Sequence, residues 1–428
     1  MANQAYDVIV VGAGLAGCSA SIVAARGGLR VLLLEKSDMP GKMNLTGGRL
    51  YSHALKKLLP DAFSGAPFQR RVVSERISIL TETAASTLEY FHEPAGAEEG
   101  DSYTVLRKSL DPWLFDEAGK AGAETLISQG VKSLVKAGDN VVGVRTSSAE
   151  FRADVVILAD GASSLLGQSL GLVKKPDPID YAIGAKEVIR LGGDAINDRF
   201  NCRSEEGAAW LFLGYPTGGC MGGGFLYTNR DSVSVGVVLG QKDSRESGAK
   251  ILEMLGEFKA HPLIRPLLKG GEVVDKGGHM IPEGGYEAIP EIAANGVLIA
   301  GDAASFCLNM GYTIRGMDLA ILSGMAAGNT VIRAVKAHDF SRDFLWSYYD
   351  ELEKENVLPE MKLYKNLPGF LHNKRIFETY PQLVNNFIGD MFSIDGKSEP
   401  AWKKIAKYMH RAGFLNIMKD VWAGIKSF

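Results

Sequence analysis

The sequence predicts an α/β chain in three parts: a parallel-sheet unit wound with helices, an antiparallel sheet inserted into it, and a helical C-terminal region. Three observations carry that prediction. A strand–glycine turn–helix–strand pattern opens the chain at Tyr6 to Glu35. From Gly171 to about Gly278, polar and apolar residues alternate at period two, the mark of antiparallel strands rather than βαβ units. From about Asn356, short helical patterns are broken by Pro359, Pro368, Pro381 and Pro400.

The opening stretch, YDVIVVGAGLAGCSASIVAARGGLRVLLLEK, supplies the parts of a βαβ unit in order. Val8 to Val11 is a buried strand of β-branched residues. Gly12, Gly14 and Gly17 follow as G-x-G-x-x-G, with Ala16 between the last two, and an alanine-rich helix runs to about Arg26. A second apolar strand, Arg30 to Leu34, ends in Glu35 and Lys36. Gly12 permits the tight turn, Gly14 lets a pyrophosphate approach the backbone, and Gly17 lets the helix pack on the strand. The helix N-terminus offers N–H groups and a partial positive charge to phosphates. Glu35, twenty-one residues beyond Gly14, can accept hydrogen bonds from both hydroxyls of an unmodified ribose. The acid argues against a 2′-phosphate, so FAD or NAD is expected rather than NADP.

The remainder of the chain separates those two. An NAD unit would continue with alternating strands and helices, but SDMPGKMNLTGGRLYSHAL follows, a loop carrying Gly41, Gly47 and Gly48. Apolar residues at Leu110, Trp113, Leu114, Ala118 and Ala121 predict a helix, and short strands flank the turn Gly138-Asp139-Asn140. Another apolar strand, Val155 to Ala159, ends in Asp160-Gly161. Near the end, VLIAGDAASFCLNMGYTIRGMDLAILSG places Gly301-Asp302 after an apolar run and a helix after a glycine loop. Asp302 taken alone can equally be a buried aspartate capping that helix, a role compatible with ligand binding.

Composition excludes several classes. The chain has 428 residues, 46% of them hydrophobic, and a net charge of -3, so no global field draws it to nucleic acid. Cys18, Cys202, Cys220 and Cys307 are scattered without metal-site spacing, which predicts reduced thiols in a cytoplasmic protein and no metal. No signal peptide is read before the first strand, and no run of eighteen apolar residues suggests a membrane span. Contact with a membrane surface stays open. His53, His92, His261, His279, His338, His372 and His410 show no triad spacing, so no residue is assigned as catalytic.

The motifs NLTGGRLY, ADVVILADG, MGGGFLYTN, GVLIAGDAA and GYTIRGMDLA resemble one FAD-dependent family across essentially the whole chain. It includes geranylgeranyl reductases, aromatic-ring hydroxylases and electron-transfer flavoprotein–quinone oxidoreductases, and the resemblance is closest to FixC-like flavoproteins. It implies a Rossmann-like FAD-binding domain of the p-hydroxybenzoate-hydroxylase type, made of residues 1–71, 104–172 and 279–335. Residues 72–103 and 173–278 would form the antiparallel-sheet substrate or acceptor domain, and 336–428 the C-terminal helical region.

Carried over by position, Gly12, Gly14 and Gly17 would cradle the pyrophosphate, with Ala16 and Lys36 beside them, and Glu35 would hold the adenosine ribose. Arg107 would lie near the ribityl and phosphate region, and the backbone of Val131 would read the adenine. Ala159, Asp160 and Gly161 match the family's middle motif. Gly301 would permit Asp302 to reach a ribityl hydroxyl. Gly311, Tyr312, Thr313 and Ile314 would start a helix aimed at the flavin N1/O2 edge, where charge develops on reduction. Thr46, Gly47 and Gly48 would lie along the isoalloxazine.

In the middle region, GGCMGGGFLYTN lacks the Gly-Lys-Ser/Thr ending of a phosphate loop and is read as a hairpin or bulge. Met221, Phe225, Tyr227, Trp210, Tyr215 and Tyr312 are candidates to line a pocket over the flavin, or are ordinary core. Residues from about Val72 to Tyr90 are expected in the same sheet. In AWKKIAKYMHRAGFLNIMKDVWAGIKSF, Trp402, Ile405, Met409, Leu415, Met418, Trp422 and Ile425 oppose Lys403, Lys404, Lys407, Arg411 and Lys419. Such a basic amphipathic helix fits an anionic membrane surface, an acidic partner or the protein's own core.

Full-length electron-transfer flavoprotein–quinone oxidoreductases carry a cysteine-bound iron–sulfur cluster near the C-terminus, and no cysteine follows Cys307 here. The resemblance therefore implies a separate small ferredoxin-like iron–sulfur subunit. The expected function is an FAD oxidoreductase taking electrons from electron-transfer flavoprotein subunits to a quinone or similar apolar acceptor, cytoplasmic or peripheral on the inner membrane. The alternatives are a prenyl-lipid C=C reductase, an aromatic hydroxylase and a flavin-binding scaffold.

Overall fold

Strand Ala5–Val11 is apolar from Val8 to Val11, where it is covered on both faces, and it takes the centre of the first sheet. The computed structural model describes residues 5–44, 48–93, 96, 101–396 and 398–427. Around that strand the order is Ala293–Ala294, Val297–Ile299, Glu150–Leu158, Ala5–Val11, Val31–Leu34, Glu124–Leu126. The last five are mutually parallel; Ala293–Ala294 and the hairpin Ser133–Ala137/Asn140–Arg145 pair antiparallel at the flank. Val297–Ile299, read almost three hundred residues after the first strand, thus joins the same sheet.

Helix Leu15–Arg26 packs directly on the long helix Met317–Ala337. Two glycines set the approach: a Cβ on Gly324 would meet the Ala16 carbonyl at 2.2 Å, and one on Gly328 would meet Val23 Cβ at 2.8 Å. The first and last segments of the unit are therefore in backbone contact.

The second sheet runs Glu272–Pro282, Tyr181–Arg190, Ser232–Gly240, Gly222–Thr228, Glu206–Gly214, Phe68–Leu80, Ser102–Val105, Gly48–Tyr51, with Ala85–Phe91 also on Phe68–Leu80. It is antiparallel except where Phe68–Leu80 pairs with Glu206–Gly214, a parallel seam that period-two alternation does not reveal. Arg70 bolts this seam. Its buried guanidinium donates to the carbonyls of Asn229, Arg203, Glu206 and Arg230 and to Asn197 Oδ1.

One face of the sheet buries Trp210, Phe212, Val235 and Val237 against helices Gly193–Phe200 and Ile251–Ala260. Because side chains alternate, Lys186, Phe225 and Tyr227 point from the other face. Glycines make room for the large rings. A Cβ on Gly224 would strike Phe258 at 2.8 Å, and one on Gly236 would strike Phe225 at 2.3 Å.

The C-terminal segment does not form one amphipathic helix. Ala401–Ala412 and Phe414–Ser427 are separate, with the chain turning at Gly413 (φ +75°). They pack on Thr379–Phe392 through Tyr408, whose hydroxyl donates to the Asn386 carbonyl, and through Asp420, bound by Arg375 and Tyr380. Between the three helices lies an apolar hollow of about 500 Å³ lined by Phe370, Leu383, Phe387, Ile417 and Val421. Trp402, Leu415, Trp422 and Ile425 stay exposed. Among the described residues no helix is long and apolar enough to cross a membrane.

Candidate functional site

The glycines of the first turn fall into two kinds. A Cβ on Gly12 (φ +102°) would meet the Ala159 carbonyl at 2.3 Å, and one on Gly17 would meet the Gly12 carbonyl at 1.9 Å. Both are demanded by the chain's own packing. Gly14 is not: its φ of -79° suits any residue, and a Cβ there would have only Arg107 Nη2 near it, at 3.9 Å. Gly14 is also the N-cap of helix Leu15–Arg26, and no side chain caps that helix. The open space over an uncapped helix N-terminus fits the pyrophosphate of a dinucleotide.

Around this turn the other motifs assemble. Glu35 is fixed at the end of its strand, one oxygen accepting from Ala13 N–H at 3.0 Å and the other from Ser37 N–H at 2.9 Å. Ser128 and Gln129 hydrogen-bond back to Ser37 and Glu35, and a Cβ on Gly130 would touch Lys36, which brings Val131 to the same edge. Ala159 N–H donates to the Val11 carbonyl. Gly301 (φ +67°) lies against Ala16, where a Cβ would come within 2.8 Å of that side chain, so Asp302 sits beside the first helical turn.

Asp160 and Asp302 differ. Asp160 accepts from Ser164 Oγ at 2.9 Å and from Leu166 N–H at 3.3 Å, tying down helix Leu165–Ser169. Among the described residues the Asp302 carboxylate accepts no hydrogen bond, and the helix Met317–Ala337 that it could cap by sequence has Gly316 at its N-cap. Burial raises the Asp302 carboxyl, while His279 and Arg107 beside it pull it back down. Arg107, at the start of helix Arg107–Lys120, is held by Asp111, with Nη2 donating to Oδ2 at 2.8 Å. Its charge survives burial because Asp111 and Asp302 outweigh the desolvation.

Gly311 (φ +76°) opens a loop with its N–H on Asn309 Oδ1 at 2.9 Å. Before the helix at Met317 comes a two-residue ladder, Leu308–Asn309 with Ile314–Arg315, rather than a direct loop-to-helix step. Thr313 is buried with Oγ1 on Tyr51 Oη at 2.8 Å, and Gly48 lies near Met317, whose Cε would be 3.5 Å from a Cβ there. Thr46 and Gly47 lie outside the described residues.

Over this floor the second sheet presents Phe225 and Tyr227, their rings 5.4 Å apart, with Lys186 and His279. Trp210 and Tyr215 lie on the helix-covered side: Trp210 Nε1 donates to Ser78 Oγ at 2.8 Å, and Tyr215 packs on His261. Met221 is buried, and Tyr312 is half-exposed on the loop. Sequence spacing assigns no role to Lys186 or to His279, which lie on the Phe225 face. Burial lowers Lys186 to about 7 and lowers His279, on which the Asp302 and Arg107 charges act in opposite senses. A lysine inside the apolar run YAIGAKEVI was the available signal for the first.

Comparison with known proteins places these parts. Residues 7–168 match a model of FAD-dependent oxidoreductases, residues 181–281 one described as ETF-QO, ubiquinone-binding, and residues 367–428 one described as the ETF-QO/FixC family C-terminal domain. The chain is 48% identical over 427 residues to the probable electron transfer flavoprotein-quinone oxidoreductase YdiS of Escherichia coli K12, covering 100% of this chain and 99% of that one. It is 43% identical over 426 residues to the FixC protein of the same strain, covering 99% of each. Among solved structures, a geranylgeranyl bacteriochlorophyll reductase-like protein of Thermoplasma acidophilum superposes with a TM-score of 0.73 at 22% identity, covering 96% of this chain and 99% of that one. The flavin-dependent brominase Bmp2 reaches 0.64 at 18%, covering 95% and 100%. These two show the fold. The cofactor is FAD, and the protein is an FAD-dependent oxidoreductase.

Proposed function

The chain belongs to the ETF-QO/FixC family, and from that premise we propose that it takes electrons from an electron-transfer flavoprotein and passes them to a quinone. A separate small ferredoxin-like iron–sulfur subunit assists. The observation that carries the reading is the sheet face bearing Phe225, Tyr227, Lys186 and His279 above Asp302, within the segment that matches the quinone-binding model. FAD supplies the exchange between one-electron and two-electron chemistry.

The chain's own residues bind, orient and exclude water. Gly14, Ala16, Gly17 and the helix N-terminus take the pyrophosphate, with Arg107 and Lys36 adding charge. Glu35 takes the adenosine ribose, Val131 the adenine, and Ala159 to Gly161 border the same cleft. Asp302 takes a ribityl hydroxyl. Gly48 and the loop from Gly311 through Thr313 to Ile314 face the isoalloxazine, with Phe225 and Tyr312 toward the acceptor. The exposed Trp402, Leu415 and Trp422, flanked by Lys403 and Lys419, rest on an anionic membrane surface where the quinone is dissolved.

The test is stepwise. Reduced electron-transfer flavoprotein should reduce the bound flavin with the ferredoxin-like subunit present, and a short-chain quinone should reoxidise it. Long-chain quinone in anionic vesicles should also serve, and only that arm should fail at high salt. Absence of either electron step, with all partners supplied, overturns the reading. A product heavier by two hydrogens from a prenyl lipid would replace it with C=C reduction.

A further inference from the structure

Glu283 follows the strand Glu272–Pro282 and precedes Gly284-Gly285, and it is 6% exposed. Its backbone N–H donates to the Asp180 carbonyl at 2.8 Å. The two glycines leave no slack: a Cβ on Gly284 would come within 2.8 Å of Asp180 Oδ1, and one on Gly285 within 2.9 Å of the Pro368 ring. The backbone therefore fixes where the carboxyl lies.

One carboxyl oxygen accepts from Asn309 Nδ2 at 3.4 Å, and Asn309 Oδ1 in turn accepts the Gly311 N–H at 2.9 Å. Among the described residues the other oxygen is buried without a hydrogen-bond partner. A full negative charge there would lack compensation, whereas a carboxylic acid loses far less by burial. The charges of Glu283, Asp302 and Asp318 all push the buried Cys307 thiol up, and Asp180 lies behind Gly284. Among the described residues no cation acts on Glu283; burial raises its carboxyl to about 7, against a smaller opposite pull from Asn309.

We propose that Glu283 is a proton-holding positioning residue beneath the loop Gly311–Ile314, and that its charge state sets how readily the flavin edge facing that loop accepts negative charge. The proposal rests on the placement of that edge given above. Neutral Glu283 tolerates charge growing at the loop; ionised Glu283 repels it through Asn309 and Gly311. Linkage makes the effect reciprocal, so reduction of the bound cofactor strengthens proton binding by Glu283.

The experiment compares the wild-type chain with Glu283→Gln and Asn309→Ala. In the flavin-free wild type, a carboxylic-acid C=O infrared band should titrate away near pH 7, and it should be absent in Glu283→Gln. Because the folded-state value is raised, the stability this group contributes is complete below the ordinary glutamate value of about 4.3 and is lost as pH rises through about 7. With flavin bound, the wild-type midpoint potential should fall more steeply with pH across neutrality than that of Glu283→Gln. Asn309→Ala should keep the infrared band and lose the steeper fall. No titrating band overturns the proton-holding role. A band with superimposable potential curves overturns the coupling. Failure of flavoprotein-to-quinone turnover would leave both readouts intact, which separates the two proposals.

Discussion

Two neighbouring strands of the first sheet end almost alike and are used differently. Glu150–Leu158 runs into Ala159-Asp160-Gly161, and Val297–Ile299 into Ala300-Gly301-Asp302. Asp160 spends both carboxylate oxygens on its own fold, through Ser164 and Leu166. Among the described residues Asp302 spends neither, and its carboxyl is pulled down by the charges of His279 and Arg107 beside an uncapped helix. A partly buried carboxylate that the fold leaves unused is where a ligand is expected to complete the structure. The same contrast separates Gly12 and Gly17, which packing requires, from Gly14, which it does not.

The widest break in that comparison should come from Asp302→Ala. Loss of a hydrogen bond to a charged group, worth about 1.5–3 kcal/mol, should weaken FAD about 10- to 100-fold by titration calorimetry. The flavin-free chain should melt as the wild type does; a large drop in its Tm would show that Asp302 serves the fold after all. Gly14→Ala should come next, weakening FAD by about tenfold through the displaced pyrophosphate, with flavin-free stability within about 0.5 kcal/mol of wild type. Unchanged affinity would put the pyrophosphate elsewhere. Asp160→Ala should show the smallest and opposite effect. Chemical denaturation should find it about 1 kcal/mol less stable, with FAD affinity altered less than about twofold. A fall in affinity as large as that of Asp302→Ala would erase the distinction.

Much of this was legible in the chain. The unit from Ala5 to Leu34 follows from a β-branched strand, three glycines, an alanine-rich helix and an apolar strand, each with a local cause. The union of Val297–Ile299 with that sheet was inferred from Gly301-Asp302 and its resemblance to a known motif, not from any local signal. Which face Trp210 and Phe225 occupy was not legible. A shift of one residue in register swaps faces, and register is set by partners far away in sequence. The parallel seam between Phe68–Leu80 and Glu206–Gly214 was hidden for the same reason. Gly413 divides what helical spacing alone reads as one helix, because apolar periodicity continues across the break. Glu283 gave no signal beyond a carboxylate set between Pro282 and two glycines.

The position of Val297–Ile299 beside Glu150–Leu158 has a consequence for how the protein is made. Gly14 leaves the ribosome early, whereas Asp302 and the loop at Gly311 follow almost three hundred residues later. At roughly 5–20 residues per second, that interval is about 15–60 s. During it, the nascent chain holds the turn proposed for the pyrophosphate but not the residues proposed for the other end of the cofactor. On the placement proposed above, FAD should therefore bind tightly only once the segment from Val297 to Ile314 has emerged and joined the sheet.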